Sequence, residues 1–526
     1  MHKNQRLRII LSLVAIIAIF FGLLSLHFLK IERSLPSEGW SRAVDIPFEI
    51  DSKQEPYVLK NDGTFQLFSV NEGKVKQLTL NSELEKVKQS ELPYHASEEY
   101  PLWTNGTDFL FINSNKKLVH AVGNEENILA DGINGMTLKD DLVLYWKENK
   151  IFKVNLDQLS TVPVKEIDSP VKDIAIQNNS ADSFLVISKP TNDFTVGMLY
   201  KEEKNTYTEK LQFKLKHIKA YEIFQRFQYA INDGKLMLAY EKAESKGNTF
   251  TPMYTEGTVD SFDGEVAPRS MKIYPQGSGL SFENAKHINF KVEEGTPKIL
   301  FTAWNQISSF SEEFNIFQAK QNEEGKWIAS RLSKTPKRSS EPFWLDDSNV
   351  VWFEANSGTT FETIDYKLMG TSTNPEVIET STKMTMKDIK NALSTGLLGA
   401  SMGLITLLIG FAWVTPAALF LLAMFMFNPT AIEQGKRWAL YTAYGLFFIT
   451  QLIFLQKQFN PAFYAFAPGY LTFAGSSFVI PIIVALLAYL IGKVVLRKED
   501  RLMVLFSYTV AVDLLILALL VGPYRF

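Results

Sequence analysis

Two short patterns in this chain would carry chemistry if the fold placed them correctly. Gly399-Ala400-Ser401-Met402-Gly403 has the Gly-x-Ser-x-Gly form of a hydrolase elbow. That elbow needs a strand–turn–helix setting and a base beside the serine. Here the motif lies inside an uncharged apolar stretch, Asn391–Ile432, and no histidine follows His287. Packing accounts for it better. Gly396, Gly399, Ala400 and Gly403 repeat small residues at the intervals that let membrane helices approach closely. The second pattern is Asp513, in Ala511-Val512-Asp513-Leu514-Leu515, the one charge well inside a carboxyl-terminal apolar segment. A carboxyl there is costly unless neutral or hydrogen-bonded, so proton uptake, cation binding and docking of a partner helix all come into view. Structural glue is the plainer role. Its candidate partners are Tyr441, Thr442, Tyr444, Thr450, Gln451, Thr472, Ser476, Ser477, Tyr508 and Thr509.

Other chemistry is mostly excluded. The 526 residues include no cysteine, which removes disulfides, thiolate zinc sites, iron–sulfur clusters and cysteine nucleophiles. The six histidines, at 2, 27, 95, 120, 217 and 287, form no pair at helical metal-site spacing, so each is expected to be a surface or core residue. No phosphate loop, dinucleotide fingerprint or calcium loop appears, and no metal or cofactor is expected.

The elements that must position these residues fall into three blocks: 1–30, 31–388 and 389–526. Residues 31–388 carry a net charge of −12, and the remainder carries +9. Lys3, Arg6 and Arg8 precede the apolar run Ile9–Leu29. That run is too long for a cleaved signal and ends in no small-residue site, so it reads as a signal anchor with its amino terminus inside. Four further spans are predicted: one within Asn391–Ile432, then Trp438–Gln456, Tyr470–Gly492 and Leu502–Gly522. If Asn391–Ile432 crosses once, Lys436, Arg437, Lys493, Arg497, Lys498 and Arg501 are all cytoplasmic. If it breaks near Trp413-Val414-Thr415-Pro416 and crosses twice, those six move outside. One crossing is therefore predicted, with five spans in total and residues 31–388 outside the cytoplasm.

The middle block alternates short β-branched and aromatic runs with turn signals. Leu142-Val143-Leu144-Tyr145-Trp146, Ile151-Phe152-Lys153-Val154 and Val350-Val351-Trp352-Phe353 are examples, with Asp131-Gly132 and Asp233-Gly234 among the turns. Only Tyr221–Tyr229 shows helical spacing. Two segments repeat a unit. Aligning Pro101 with Pro342 aligns Trp103 with Trp344, then a polar turn, then the strands Phe109-Leu110-Phe111 and Val350-Val351-Trp352. This Pro-x-Trp, turn, strand unit resembles the blade motif of TolB-type and WD40-like β-propellers. The resemblance implies an all-β propeller in which Trp fills the space between stacked blades, and at 40–50 residues a blade it implies about seven of them.

The expectation is thus a multi-pass plasma-membrane protein, its extracytoplasmic propeller flanked by an anchor and a four-span helical bundle. Lysine content and the absence of cysteine fit a bacterial envelope. Binding is the leading function: a receptor or scaffold whose propeller recognises a protein, peptide or envelope polymer and whose bundle docks a membrane partner. Two alternatives differ in class. A transporter or sensor subunit would use Asp513 facing a polar cavity. A hydrolase would gather paired carboxylates or a Ser–His pair at the propeller's central channel. Enzymatic activity is not the leading expectation, and the acidic middle block argues against nucleic acid as a partner.

Overall fold

A computed structural model describes residues 3–50, 54–61, 63–204, 206–219, 221–244, 249–277, 280–308, 311–335, 337–355, 366–434, 436–496 and 502–524. His2, Arg497, Lys498, Arg501 and Arg525 lie outside the described residues. The chain forms two compact units. One comprises Leu35–Asn305 and Glu312–Thr382; the other comprises Met1–Ser34, Gln306–Ser311 and Lys383–Phe526.

The first unit is a seven-bladed β-propeller. Its strands form seven sheets in chain order. Each opens on an innermost strand: Tyr57–Asn61, Trp103–Thr104, Gly135–Lys139, Val171–Ile176, Glu222–Asn232, Lys286–Glu293 and Ser339–Trp344 for blades 1 to 7. Apolar burial shows why the sheets stack. Among the described residues this unit has seven cores, each shared by two neighbouring blades. Phe68 and Val70 of blade 1 pack with Phe109 and Phe111 of blade 2. Leu300 and Ile316 of blade 6 pack with Val350 and Trp352 of blade 7. The last core joins Phe343 and Phe353 of blade 7 to Leu67 and Leu78 of blade 1, so the ring is closed. A blade cannot bury both faces alone, and a ring gives each face a partner.

Two connections reinforce the ring. Val44–Ile50 pairs antiparallel with Tyr366–Ser372, so the first strand of the unit completes the last blade. Among the described residues blade 5 has three strands. The chain that follows them instead adds Gly264–Val266 to the outer edge of blade 4 and Ile273–Pro275 to that of blade 6.

The helical expectation for Tyr221–Tyr229 is wrong. Glu222–Asn232 is the innermost strand of blade 5. Phe224, Phe227 and Tyr229 all face inward because the pairing shifts between Gln225 and Gln228. One extra residue breaks the two-residue alternation, and the resulting three-residue gap mimics a helical period.

The second unit is helical. In chain order the helices are α1 (Lys3–Arg33), α2 (Pro375–Thr382, assigned to the first unit), α3 (Met386–Phe427), α4 (Pro429–Glu433), α5 (Arg437–Leu455), α6 (Pro461–Phe466), α7 (Ser476–Val495) and α8 (Leu502–Leu520). Five of them, α1, α3, α5, α7 and α8, are long and apolar enough to cross a membrane. The stretch after Asn391 does not break at Pro416. It belongs to one 42-residue helix, opened by a capping box in which Thr385 and Asp388 each accept the other's backbone N–H. Thr415 Oγ1 donates to the Phe411 carbonyl at 2.7 Å, one turn from the proline. The span expected from Tyr470 starts later, at Ser476. Gly475 sits in the left-handed region (φ 82°) and sets the helix start there.

Candidate functional site

The innermost strands of a propeller line its axis, so their side chains are the first place to look for a site. In three consecutive blades that strand carries the same irregularity. Pairing shifts between Gln225 and Gln228, between Lys286 and Asn289, and between Ser340 and Phe343. Within each shift one residue takes a left-handed backbone: Arg226 (φ 55°), His287 (φ 55°) and Glu341 (φ 51°). Non-glycine residues rarely adopt this conformation, and where they do the surrounding structure must hold them there.

These three side chains converge. Arg226 Nη2 donates to Glu341 Oε1 at 2.7 Å, and His287 Nε2 lies 3.5 Å from the same oxygen. Behind them is Glu241, fully buried, with Arg226 Nε 3.7 Å from its Oε2. The Ile288 N–H donates to Glu241 Oε1 at 2.7 Å. Gln228 ties blade 5 to blade 6: its Nε2 donates to the Ile288 carbonyl at 2.9 Å, and its Oε1 accepts from the Phe290 N–H at 2.6 Å. Burial pulls the Arg226 guanidinium down, but the Glu341 and Glu241 carboxylates outweigh it and hold it above its ordinary value. Burial pushes the Glu241 carboxyl up against the pull of Arg226.

A fourth member comes from blade 1. Glu55, just ahead of the innermost strand, is open to water. The protein around it, then the Glu341 charge, push its carboxyl up to about 7, while Arg226 and Lys139 pull the other way. Those three charges stand on the innermost strands of blades 7, 5 and 3, so Glu55 faces the axis. The site therefore presents two carboxylates, a guanidinium and an imidazole from four blades.

The raised Glu55 has a consequence for stability. Its folded value lies above its ordinary 4.5, so folding favours its protonated form. Its contribution is complete below about pH 4.5 and falls as pH rises through about 7. Glu55→Gln should match wild type in thermal unfolding at pH 5 and exceed it at pH 8. An equal gap at both pH values would exclude this.

Sequence reasoning missed this cluster, having taken His287 as isolated. A signal was present. Glu55-Pro56-Tyr57 and Glu341-Pro342-Phe343 repeat Glu-Pro-aromatic at the start of two innermost strands.

The residues singled out from sequence lie elsewhere. Pro101 and Trp103 stand at the innermost strand of blade 2, and Trp103 Nε1 reaches blade 3 by donating to the Asp140 carbonyl at 3.0 Å. Pro342 and Trp344 stand on the innermost strand of blade 7. Trp344 packs on the core between blades 6 and 7, with Lys291 Nζ 4.8 Å from its ring centre. Gly396, Gly399 and Gly403 are buried on α3, and Ala400 packs on the bundle core. A Cβ on Gly396 would meet Ser25 of α1 at 2.9 Å, and one on Gly403 would meet the Ala518 carbonyl oxygen of α8 at 2.2 Å. Ser401 is exposed, and its Oγ donates to the Leu397 carbonyl of its own helix at 2.8 Å. Of the partners expected for Asp513, the structure selects Gln451, whose Nε2 donates to Asp513 Oδ2. Among the described residues no cluster of three metal-ligating side chains occurs.

No protein-family model matches this chain, and no curated protein matches it. Solved structures do match. The WD40 β-propeller domain of Doa1 aligns at 9% identity over 65% of this chain and 99% of that one, with a TM-score of 0.35. The WD40 domain of SCAP from fission yeast aligns at 9% identity over 65% and 97%, with a TM-score of 0.32. A Dyadobacter fermentans protein of unknown function aligns at 11% identity over 63% and 99%, with a TM-score of 0.36. Similarity this low carries nothing about function. The propeller assignment rests on the seven sheets and their shared cores.

Proposed function

We propose that this chain is a plasma-membrane receptor or scaffold whose propeller stands outside the cytoplasm and binds a protein, peptide or envelope polymer at the channel mouth. One observation carries the reading: Glu55, Arg226, His287 and Glu341 converge from four blades, three of them on strained backbone. Strain of that kind persists where the surroundings hold a preorganised site. Lys3, Arg6 and Arg8 in the first turns of α1, and Lys436 and Arg437 at the start of α5, support this orientation. The Pro-x-Trp units at 101–103 and 342–344 support a TolB-like ancestry of the blades, and a bacterial envelope suits the cysteine-free composition. The helical bundle, with its small-residue face on α3, would dock a membrane partner.

Photo-crosslinking in intact cells tests this. A benzophenone amino acid at position 55 should give an adduct that the same group at exposed Lys88, on the outer strand of blade 1, does not. Adducts from Lys88 alone would refute recognition at the channel.

The hydrolase reading gains one observation, because the Glu55 carboxyl feels the charge of the Glu341 carboxylate across the channel. It requires full-length protein to turn over an envelope glycan or peptide and Glu55→Gln to abolish that turnover. Without turnover of either substrate, that reading fails. The transporter or sensor reading continues to rest on Asp513.

A further inference from the structure

The membrane bundle contains polar groups that recognition at the channel does not use. Asp513 and Gln451 lie in its core, 1% and 0% exposed, joined by the bond from Gln451 Nε2 to Asp513 Oδ2. With Asp513 ionised, that bond sets the orientation of the amide, since turning it over would place oxygen against oxygen. Two acceptors then stay open: Asp513 Oδ1 and Gln451 Oε1. A third open group is a donor, the indole Nε1 of Trp413, itself 1% exposed.

Packing brings Trp413 to the same level of the bundle. Thr450 Oγ1, on the residue before Gln451, donates to the Trp413 carbonyl at 2.8 Å. Gly410, one turn earlier on α3, lies against Leu514, the residue after Asp513, where a Cβ would come 2.9 Å from Leu514 Cδ2. Helices α3, α5 and α8 therefore contribute one open donor and two open acceptors to one region.

An open buried polar atom is costly, and in native proteins ordered water commonly meets such atoms. The hydrogen-bond count selects the guest. A cation would suit the two oxygens but meet the Trp413 N–H head on. An anion would face Asp513. A small neutral molecule with two donors and one acceptor satisfies all three groups, and water is that molecule. We infer that Trp413, Gln451 and Asp513 form an intramembrane binding site for a single water molecule, which joins α3, α5 and α8 and keeps the Asp513 carboxyl hydrated within the membrane. The inference is independent of the channel.

The test uses full-length protein in phosphatidylcholine bilayers, with nitrogen-labelled tryptophan and water-edited solid-state NMR. The Trp413 indole signal, identified by its loss in Trp413→Phe, should receive magnetisation from water. Gln451→Met and Asp513→Leu should each remove that transfer. A Trp413 indole with no water transfer overturns the site, as does transfer unchanged in both variants. Thermal unfolding gives a second reading. A shared water makes the losses in Trp413→Phe and Gln451→Met non-additive, so the double variant should lose clearly less Tm than their sum. Additive losses overturn the shared site and fit a direct acid–amide pair that needs no water.

Discussion

Replacing Gly403 with leucine should prevent the bundle from closing. The first added atom would stand 2.2 Å from the Ala518 carbonyl oxygen and 3.3 Å from Pro523 Cδ. The nearest obstacle is backbone, so no rotamer change relieves it, and α3 and α8 must separate. Overpacking of a close-packed interface costs about 1–3 kcal/mol, and a four-carbon side chain against a carbonyl belongs at or beyond the top of that range. Gly445 is the control. It lies in α5, is exposed, and a Cβ there would meet nothing within 4 Å. Gly445→Leu should be neutral or slightly stabilising, because removing a helix-interior glycine gains up to about 1 kcal/mol. Fluorescence-detected gel filtration of detergent extracts after a heating series distinguishes the two. Equal melting of both variants would show that the small-residue face of α3 does not set the packing distance.

Arg226→Ala should be the most damaging single change in the propeller channel. It removes the 2.7 Å bond to Glu341 and leaves fully buried Glu241 without its nearest cation. Stripping a partner from a buried charge pair costs about 3–5 kcal/mol. The low end applies, because Glu241 keeps the Ile288 N–H and Gln225. A loss of about 3 kcal/mol should lower the propeller's Tm by roughly 4 °C. Adding Glu241→Gln to Arg226→Ala should return part of the loss, since the orphaned charge is then gone. If Arg226→Ala melts with wild type, the pair is a surface contact of no consequence.

How much of this was legible in the sequence depends on range. Local features were: strands such as Leu142–Trp146 announce themselves through β-branched and aromatic runs, and the apolar spans through their length. Around Arg226 a bulge changes the local period, so a strand carries the spacing of a helix. The channel was hidden for a different reason. Its members stand on blades 1, 5, 6 and 7, and nothing local links Glu55 to Arg226. The repeated Glu-Pro-aromatic triplet was the one accessible hint. Asp513 lies between these cases. Its burial followed from the apolar run around it, but choosing Gln451 from the polar residues of neighbouring spans needed the helix packing itself.

The closing strand also has a timetable. Val44–Ile50 is made early, yet its partner, Tyr366–Ser372, follows about 315 residues later. At roughly 5–20 residues per second, synthesis leaves it waiting roughly 15–60 s with no place in a sheet. An unpaired strand edge recruits other chains, and charge and proline are the usual deterrents. This strand carries both: Asp45 and Pro47 are exposed, Glu49 follows, and its pairing is interrupted around the proline. Its sequence thus answers to two demands in succession, to stay unattractive while alone and to lock the ring once the last blade arrives. Any truncation upstream of residue 366 would extend the first of these indefinitely, leaving an open arc of blades tethered to the membrane by α1.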